Sequence, residues 1–298
     1  MDTSDLAKRM KGYENCYRIY LPRRSAVIVR LDMRVGHSYT KGFLRPYDKI
    51  FSSCMRYTMR KLCENMSGAR FGYHQSDEIS IVLADYENIN TEPWFGNNLQ
   101  KIVSISASMA ALFFKEQLNH IIFDLLYSWS NLDWNNKEEM KANEDRLREL
   151  YGMPLRNEEW DKYVDTIQIA NSNRMACFDS RAFILPREEV VNYFYWRELD
   201  CIRNSIQMAG QANFSHRELQ NKNCNDIQEM LFSQKGINWA KDYPPEFRNG
   251  SACYKKLTDV ITPDSTTVQR NKWFIDKDIP KFSVEPDFIN KHIIFDEK

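Results

Sequence analysis

Asp77 and Glu78 stand side by side at the head of an alternating apolar run, in GYHQSDEISIVL over residues 72–83. A tight hairpin turn at that point ordinarily takes Asn-Gly or Asp-Gly. A third acid, Asp32, closes the short β-branched run SAVIVRLD over 25–32, which has the pattern of a central strand. Carboxylates at the ends of neighbouring strands suit Mg²⁺, which takes one or two acids and completes its shell with substrate phosphates. Two such ions can clamp the oxygens of an in-line phosphoryl transfer. Between the acids lies Gly36-His37, in a loop whose backbone N–H groups can hold a triphosphate. Taken singly, Asp32 reads more readily as a loop cap and Asp77-Glu78 as a polar turn; it is their pairing that points to metal-dependent nucleotidyl transfer or cyclisation.

That pairing requires the strands to adjoin. After the strand ending at Asp32, Pro46 opens a helical pattern through Ile50, Met55, Met59 and Leu62 that stops near Ser67-Gly68. Strands follow over 69–74 and 79–83, then a long helix rich in small residues over 95–118. The strand pattern returns at 175–185, and Pro186 begins another long helix. The order is β-α-β-β-α-β, an α+β, ferredoxin-like arrangement in which the first and third strands lie side by side. Asp32 and Asp77 then meet, and at about 4 Å two unit charges repel by roughly 4 kcal/mol at an effective dielectric near 20, a cost that a counterion relieves.

Residues 1–118 and 174–210 are expected to form the catalytic core, 119–173 an insertion with one exposed helix over 137–150, and 211–298 a helical C-terminal part. Ser215 to Glu218 has the spacing of a capping box, and Asn225 with Gln228 that of a second, weaker one. With 43% hydrophobic residues the chain can bury a sizeable core. No window approaches 18 consecutive apolar residues and the first ten, polar on the whole, hold no apolar h-region, so a cytoplasmic protein with no membrane partner is expected. The seven cysteines are scattered without a C-x-x-C pair, and the five histidines lack H-x-x-x-H spacing. Disulfide and zinc frameworks are thereby disfavoured and a hard ion favoured. Net charge is zero, but residues 1–70 carry 15 Lys and Arg against 6 Asp and Glu. Arg23, Arg24, Arg56, Arg60 and Lys61 in that segment are candidates for RNA phosphate contacts. Trp196-Arg197 could pin a nucleotide or simply belong to an aromatic core stripe.

Several of these stretches together resemble the tRNA-His guanylyltransferase family, including its tRNA-repairing 3′ to 5′ polymerase relatives. The family's R-x-D-G-R-x-F-H appears as RLDMRVGH (30–37), its K-P-N-D as RPYD (45–48), and its Y-x-Q-S-D-E-x-S intact as YHQSDEIS (73–80). FDSR (178–181), YFYWRELDC (193–201), QEMLF (228–232) and KGINW (235–239) continue the pattern in order. The resemblance implies a polymerase-palm core in which Asp32, Asp77 and the backbone carbonyl of Met33 bind two Mg²⁺ ions, with Glu78 assisting as a third catalytic acid. It implies that Asp32, Met33, Arg34, Val35, Gly36, His37, Ser76 and Asp77 hold a nucleoside triphosphate, with Arg45 in the place of a phosphate-contacting lysine. The implied reaction is ATP-dependent activation of a tRNA 5′ end followed by addition of GTP or another NTP, in a homo-oligomer, by resemblance a tetramer. The family's D-G is Asp32-Met33 here, its Asn after Pro is Tyr47, its D-C-H-I-N-N is DCIRNS, and the lysine before its N-E is Ile227. Those departures suggest a divergent member, nearer a repair polymerase. Two other readings stay open: a cyclase or cyclic-dinucleotide synthase on the same fold, although the chain lacks a G-G-D/E-E-F-like turn, and a non-catalytic RNA-binding module, although no RNP-type aromatic motif is present.

Overall fold

In the computed structural model, which describes residues 4–127, 136–152, 158–261 and 267–293, helix α1 (Asp5–Asn15) precedes strand β1 (Ala26–Met33), the single turn α2 (Gly36–Tyr39) and helix α3 (Lys49–Asn65). Strands β2 (Ala69–Gln75) and β3 (Glu78–Ala84) form a hairpin, after which α4 (Leu99–Tyr127), α5 (Lys137–Tyr151) and α6 (Glu158–Asn173) lead to β4 (Phe178–Leu185). The long α7 (Glu189–Asn213) is followed by α8 (His216–Leu219), α9 (Cys224–Lys235), α10 (Trp239–Asp242) and α11 (Pro245–Arg248). Strands β5 (Ser251–Ile261) and β6 (Thr267–Asp276) and helix α12 (Asp287–Ile293) come last.

The sheet runs β4-β1-β3-β2-β5-β6, antiparallel throughout. Its first four strands have the ferredoxin-like order, and β1 pairs with β3 as the element order requires, with Asp32 opposite Glu78 and Arg30 opposite Ser80. Because side chains alternate across a strand, the two faces of β1 serve two cores. Val27, Val29, Leu31 and Met33 join Ile79, Ile81 and Leu83 in the larger core under α3 and α4, while Ala26 and Ile28 join Phe71, Tyr73 and Val82 under α7 and α12. The second set shares its face with Arg30, Asp32, Glu78 and Ser80, so the acids lie at the polar end of an otherwise apolar face.

Local chemistry explains where the elements differ from expectation. Helix α3 begins at Lys49, after Pro46, because the Asp48 carboxylate accepts the Phe51 N–H at 2.9 Å as its N-cap. Phe95 and Gly96 have φ of 51° and 61°, so α4 starts only at Leu99. It continues to Tyr127 since its buried stripe, Ile102, Ser106, Ala110, Phe114 and Leu118, is extended by Ile121 and Leu125. The helix expected to be exposed, α5, instead buries Leu147 and Tyr151, which join Trp160, Ile167 and Ala170 of α6 in the larger core. The capping box at Ser215 and Glu218 is formed, but the second joins Asn223 to Asp226, not Asn225 to Gln228, because α9 starts at Cys224.

The C-terminal part contains four short helices and α9, and also β5 and β6, which the sequence does not announce. From Lys255 to Asp259 the side chains of β5 are exposed, so no buried face imposes a two-residue alternation there. Among the described residues no helix is long and apolar enough to cross a membrane. Ile167 is fully buried in the larger core, so Ile167→Ala should destabilise the whole protein by about 2–5 kcal/mol in denaturant unfolding, with a single transition. An independent loss of the 158–173 helix alone would contradict the shared core.

Candidate active site

The turn between β2 and β3 consists of Ser76 and Asp77, with Gln75 and Glu78 as the closing pair and Ser76 at φ 48°. The end of β1 is fastened to it by the Met33 N–H, which donates to the Asp77 carbonyl at 3.0 Å. That bond places Asp32 and Asp77 together, as the strand order predicts. Burial pushes the Asp32 carboxyl up to about 6, with the charges of Asp77, Glu78 and Asp179 adding to the shift. Asp77 is also raised, mainly by burial, against hydrogen bonds from its own backbone N–H and from Ser76. Among the described residues neither acid has a salt-bridge partner, whereas Glu78 has two. Its Oε2 lies 2.9 Å from Arg30 Nε and 3.0 Å from Arg197 Nη1, and Arg197 reaches Asp200 at 3.5 Å. Glu78 is therefore charge-compensated, and the negative potential is left to Asp32 and Asp77.

Beside Asp77 opens a cavity of about 260 Å³ whose wall includes Gly36, His37, Arg45, Ser76, Tyr47 and Asn204. Gly36 is required by close approach: a Cβ there would lie 2.3 Å from Asp77 Oδ2. The preceding residue, Val35, has φ 58°, a conformation that costs a β-branched residue strain and marks a loop held by its surroundings. Met33, which replaces a family glycine, remains within β1 and is not among the positive-φ residues. The strain thus sits two residues further along.

Two supports of this cavity escaped sequence reasoning. His74 is buried, its Nε2 3.0 Å from the Ser76 carbonyl and its Nδ1 3.1 Å from Ser251 Oγ. Burial, with the nearby Arg56 charge, pushes it down to about 3, so it is neutral and ties the acid turn to β5. Asp48 accepts the Leu44 and Phe51 N–H groups and the Tyr163 hydroxyl of α6, which couples the RPYD stretch to the 158–173 helix. Only a contact map could have linked Ser251 or Tyr163 to the acids, 177 and 86 residues from His74 and Asp77; the sequence carries no local signal for either.

Of the residues expected at the site, Gly36, His37, Arg45, Ser76 and Asp77 line the cavity. Asp32 adjoins Asp77 outside the lining, Arg34 and Val35 are exposed, and the Met33 side chain is buried in the larger core. Arg197 does not face a ligand: it is buried against Glu78, with its guanidinium 3.4 Å from the Trp196 ring centroid. Arg56, considered for RNA contact, is buried and donates to Tyr47 and Ser52. Arg24 spends its guanidinium on the Asn88 carbonyl at 2.7 Å. Ile202 and Ile227 stand where the family pattern has polar residues, and both pack in an apolar cluster with Ile206, Ala209 and Leu231.

Among the described residues no group of three or more His, Cys, Asp or Glu is placed to hold a metal. The two desolvated, uncompensated carboxylates nevertheless fit Mg²⁺, which needs only one or two acids when phosphates complete its shell. Residues 7–145 match the family model described as tRNAHis guanylyltransferase, Thg1. A bacterial tRNA(His) guanylyltransferase (Thg1)-like protein solved in complex with ATP is 35% identical, with a TM-score of 0.74 over 98% of this chain and 100% of that one. One solved in complex with GTP is 31% identical, with a TM-score of 0.66 over 97% and 99%. A probable tRNA(His) guanylyltransferase of Homo sapiens is 22% identical over 251 residues, 80% of this chain and 67% of that protein.

Because the folded-state value of Asp32 is raised, ionising it costs stability as pH climbs from about 4 through about 6. Asp32→Asn removes that cost. In EDTA the variant should melt above the wild type at pH 7, and the difference should shrink towards pH 4; a difference independent of pH would refute the charge origin.

Proposed function

Since this chain belongs to the tRNA(His) guanylyltransferase family, a family of nucleotidyltransferases, we propose that it adds GTP or another NTP to the 5′ end of a tRNA, in the 3′ to 5′ direction, after ATP-dependent activation of that end. The observation that carries this reading is the contrast between Glu78, paired with Arg30 and Arg197, and its neighbours Asp32 and Asp77, which have no salt-bridge partner among the described residues and stand beside the cavity. Such a pair suits phosphoryl chemistry assisted by two Mg²⁺ ions, which would be held by both acids and the Met33 carbonyl and would neutralise charge on the phosphoryl oxygens.

The chain's own residues supply binding and orientation. Arg45 and His37 line the cavity beside Asp77 and are suited to contact the phosphates of an entering triphosphate, Arg with a planar fork of donors. Gly36 lets the loop backbone approach Asp77, and Ser76 offers a hydroxyl from the same turn. The Tyr47 and Phe247 rings, 5.4 Å apart at their centroids, form an aromatic wall suited to a base. Glu78 acts by position: its clamp fixes the start of β3, and with it the direction of Asp77. Ile202 and Ile227 favour a divergent member, since an apolar pair there cannot repeat the polar contacts of the family pattern.

Incubating 5′-monophosphorylated tRNAs, intact and 5′-truncated, with ATP, Mg²⁺ and each labelled NTP should label at least one RNA at its 5′ end. No product from any combination would overturn the proposal. Asp77→Ala should lower incorporation roughly a hundredfold or more while the protein stays folded in EDTA, melting no lower than the wild type because a buried carboxylate is removed. Gly36→Ala, which drives a methyl group into the Asp77 carboxylate, should also lower incorporation while the fold persists; an unaltered rate would show that the Asp77 position is not critical.

A further inference from the structure

QEMLF (228–232) and KGINW (235–239) take no part in the cavity beside the acids. They fold onto each other as the second half of α9, its left-handed C-cap Gly236 at φ 68°, and the start of α10. An open groove of about 280 Å³ runs between them, lined by Asn225, Gln228, Glu229, Phe232, Asn238 and Trp239. The opposite face of α9 is fixed, with Ile227 and Leu231 buried against Ile206 and Ala209 of α7. From the Arg197 clamp to that contact is about 14–18 Å along α7 at the helical rise, which makes the groove separate from the acid site yet joined to it by one helix.

The groove's chemistry is specific. Phe232 lies 60% exposed on it, a large aromatic face in water. Across from it is Trp239, with the Arg248 guanidinium 5.8 Å from the ring centroid. The Trp239 Nε1–H is buried and has no partner among the described residues. Asn238 uses its Oδ1 to accept the Ala240 N–H at 3.1 Å, which leaves its amide hydrogens to donate. Glu229 offers only acceptors, and Gln228 and Asn225 offer both kinds. Aromatic planes flanked by short amides and a carboxylate match a planar, edge-donating, edge-accepting ligand, and this is how unstacked RNA bases are recognised. An apolar peptide segment would leave the amides and Glu229 unpaired, which disfavours that occupant.

We propose that this groove docks one unpaired base of the RNA substrate, stacked on Phe232 and held along its edge by Gln228, Glu229 and Asn238. The inference rests on RNA being the substrate of the acid site and adds a second point of contact outside it. The test is binding of a fluorescently labelled short single-stranded RNA, U-rich with one central guanosine, and of the same sequence as a blunt duplex, to the full chain in EDTA. The single strand should bind more tightly than the duplex. Phe232→Ala should weaken single-strand binding roughly tenfold and leave duplex binding unchanged, and Phe232→Tyr should restore it. Equal affinity of wild type and Phe232→Ala, equal affinity for single strand and duplex, or no RNA binding would each overturn the proposal, the first leaving the groove to a protein partner. Phe232-dependent binding without nucleotide incorporation on any tRNA would instead overturn only the catalytic proposal.

Discussion

Glu78 stands opposite Asp32 in the β1–β3 register, and uncompensated it would be a third negative charge crowded at one end of the sheet. Arg30 reaches it from β1 and Arg197 from α7, both within 3.0 Å. Breaking such a buried pair by removing one partner is strongly destabilising, because the survivor is left charged and dry. The clamp therefore ties β1, β3 and α7 to one another at the place where the acids emerge. It also separates roles among three carboxylates that look alike in sequence: one is held in place, and two remain available for a cation.

The same end of the sheet is supported from its second face. Tyr39, next to the strained Val35 loop, packs edge-on against Phe114 of α4, with ring centroids 5.5 Å apart. Its main-chain carbonyl accepts from the Arg174 guanidinium. Asp48 is held through Tyr163 by α6. The cavity thus depends on chain from well beyond the βαββαβ core, including helices that a polar, Trp-rich sequence would suggest lie on the outside. Neutral His74 performs the matching task towards β5, fixing the Ser76 carbonyl so that the turn presents Asp77.

The replacement of polar family positions by Ile202 and Ile227 has a structural outcome of its own. These residues complete an apolar cluster between α7 and α9 with Ile206 and Leu231. A face that could have contacted a ligand is now internal packing, and the outward face of α9 carries Phe232 and the amide side chains instead. The family pattern and the packing pattern together explain why α9 is rigid on one side and exposes an aromatic on the other.

Strands whose residues alternate or run apolar, such as 26–33 and 79–83, are legible in sequence because burial on a sheet imposes that pattern, and the βαββαβ order then forces β1 beside β3. From this alone followed the meeting of Asp32 and Asp77, and the glycine and acid types named the chemistry. What required the tertiary structure was everything set by partners distant in sequence. Glu78 became a compensated charge only because α7 brings Arg197 to it, and Arg56 was removed from the surface by the packing of α3. His74, Ser251 and Tyr163 became supports of the site through contacts spanning more than a hundred residues. Residue type fixes what a side chain can do, but burial and counter-charge decide which of its possibilities is expressed, and both are properties of the assembled fold.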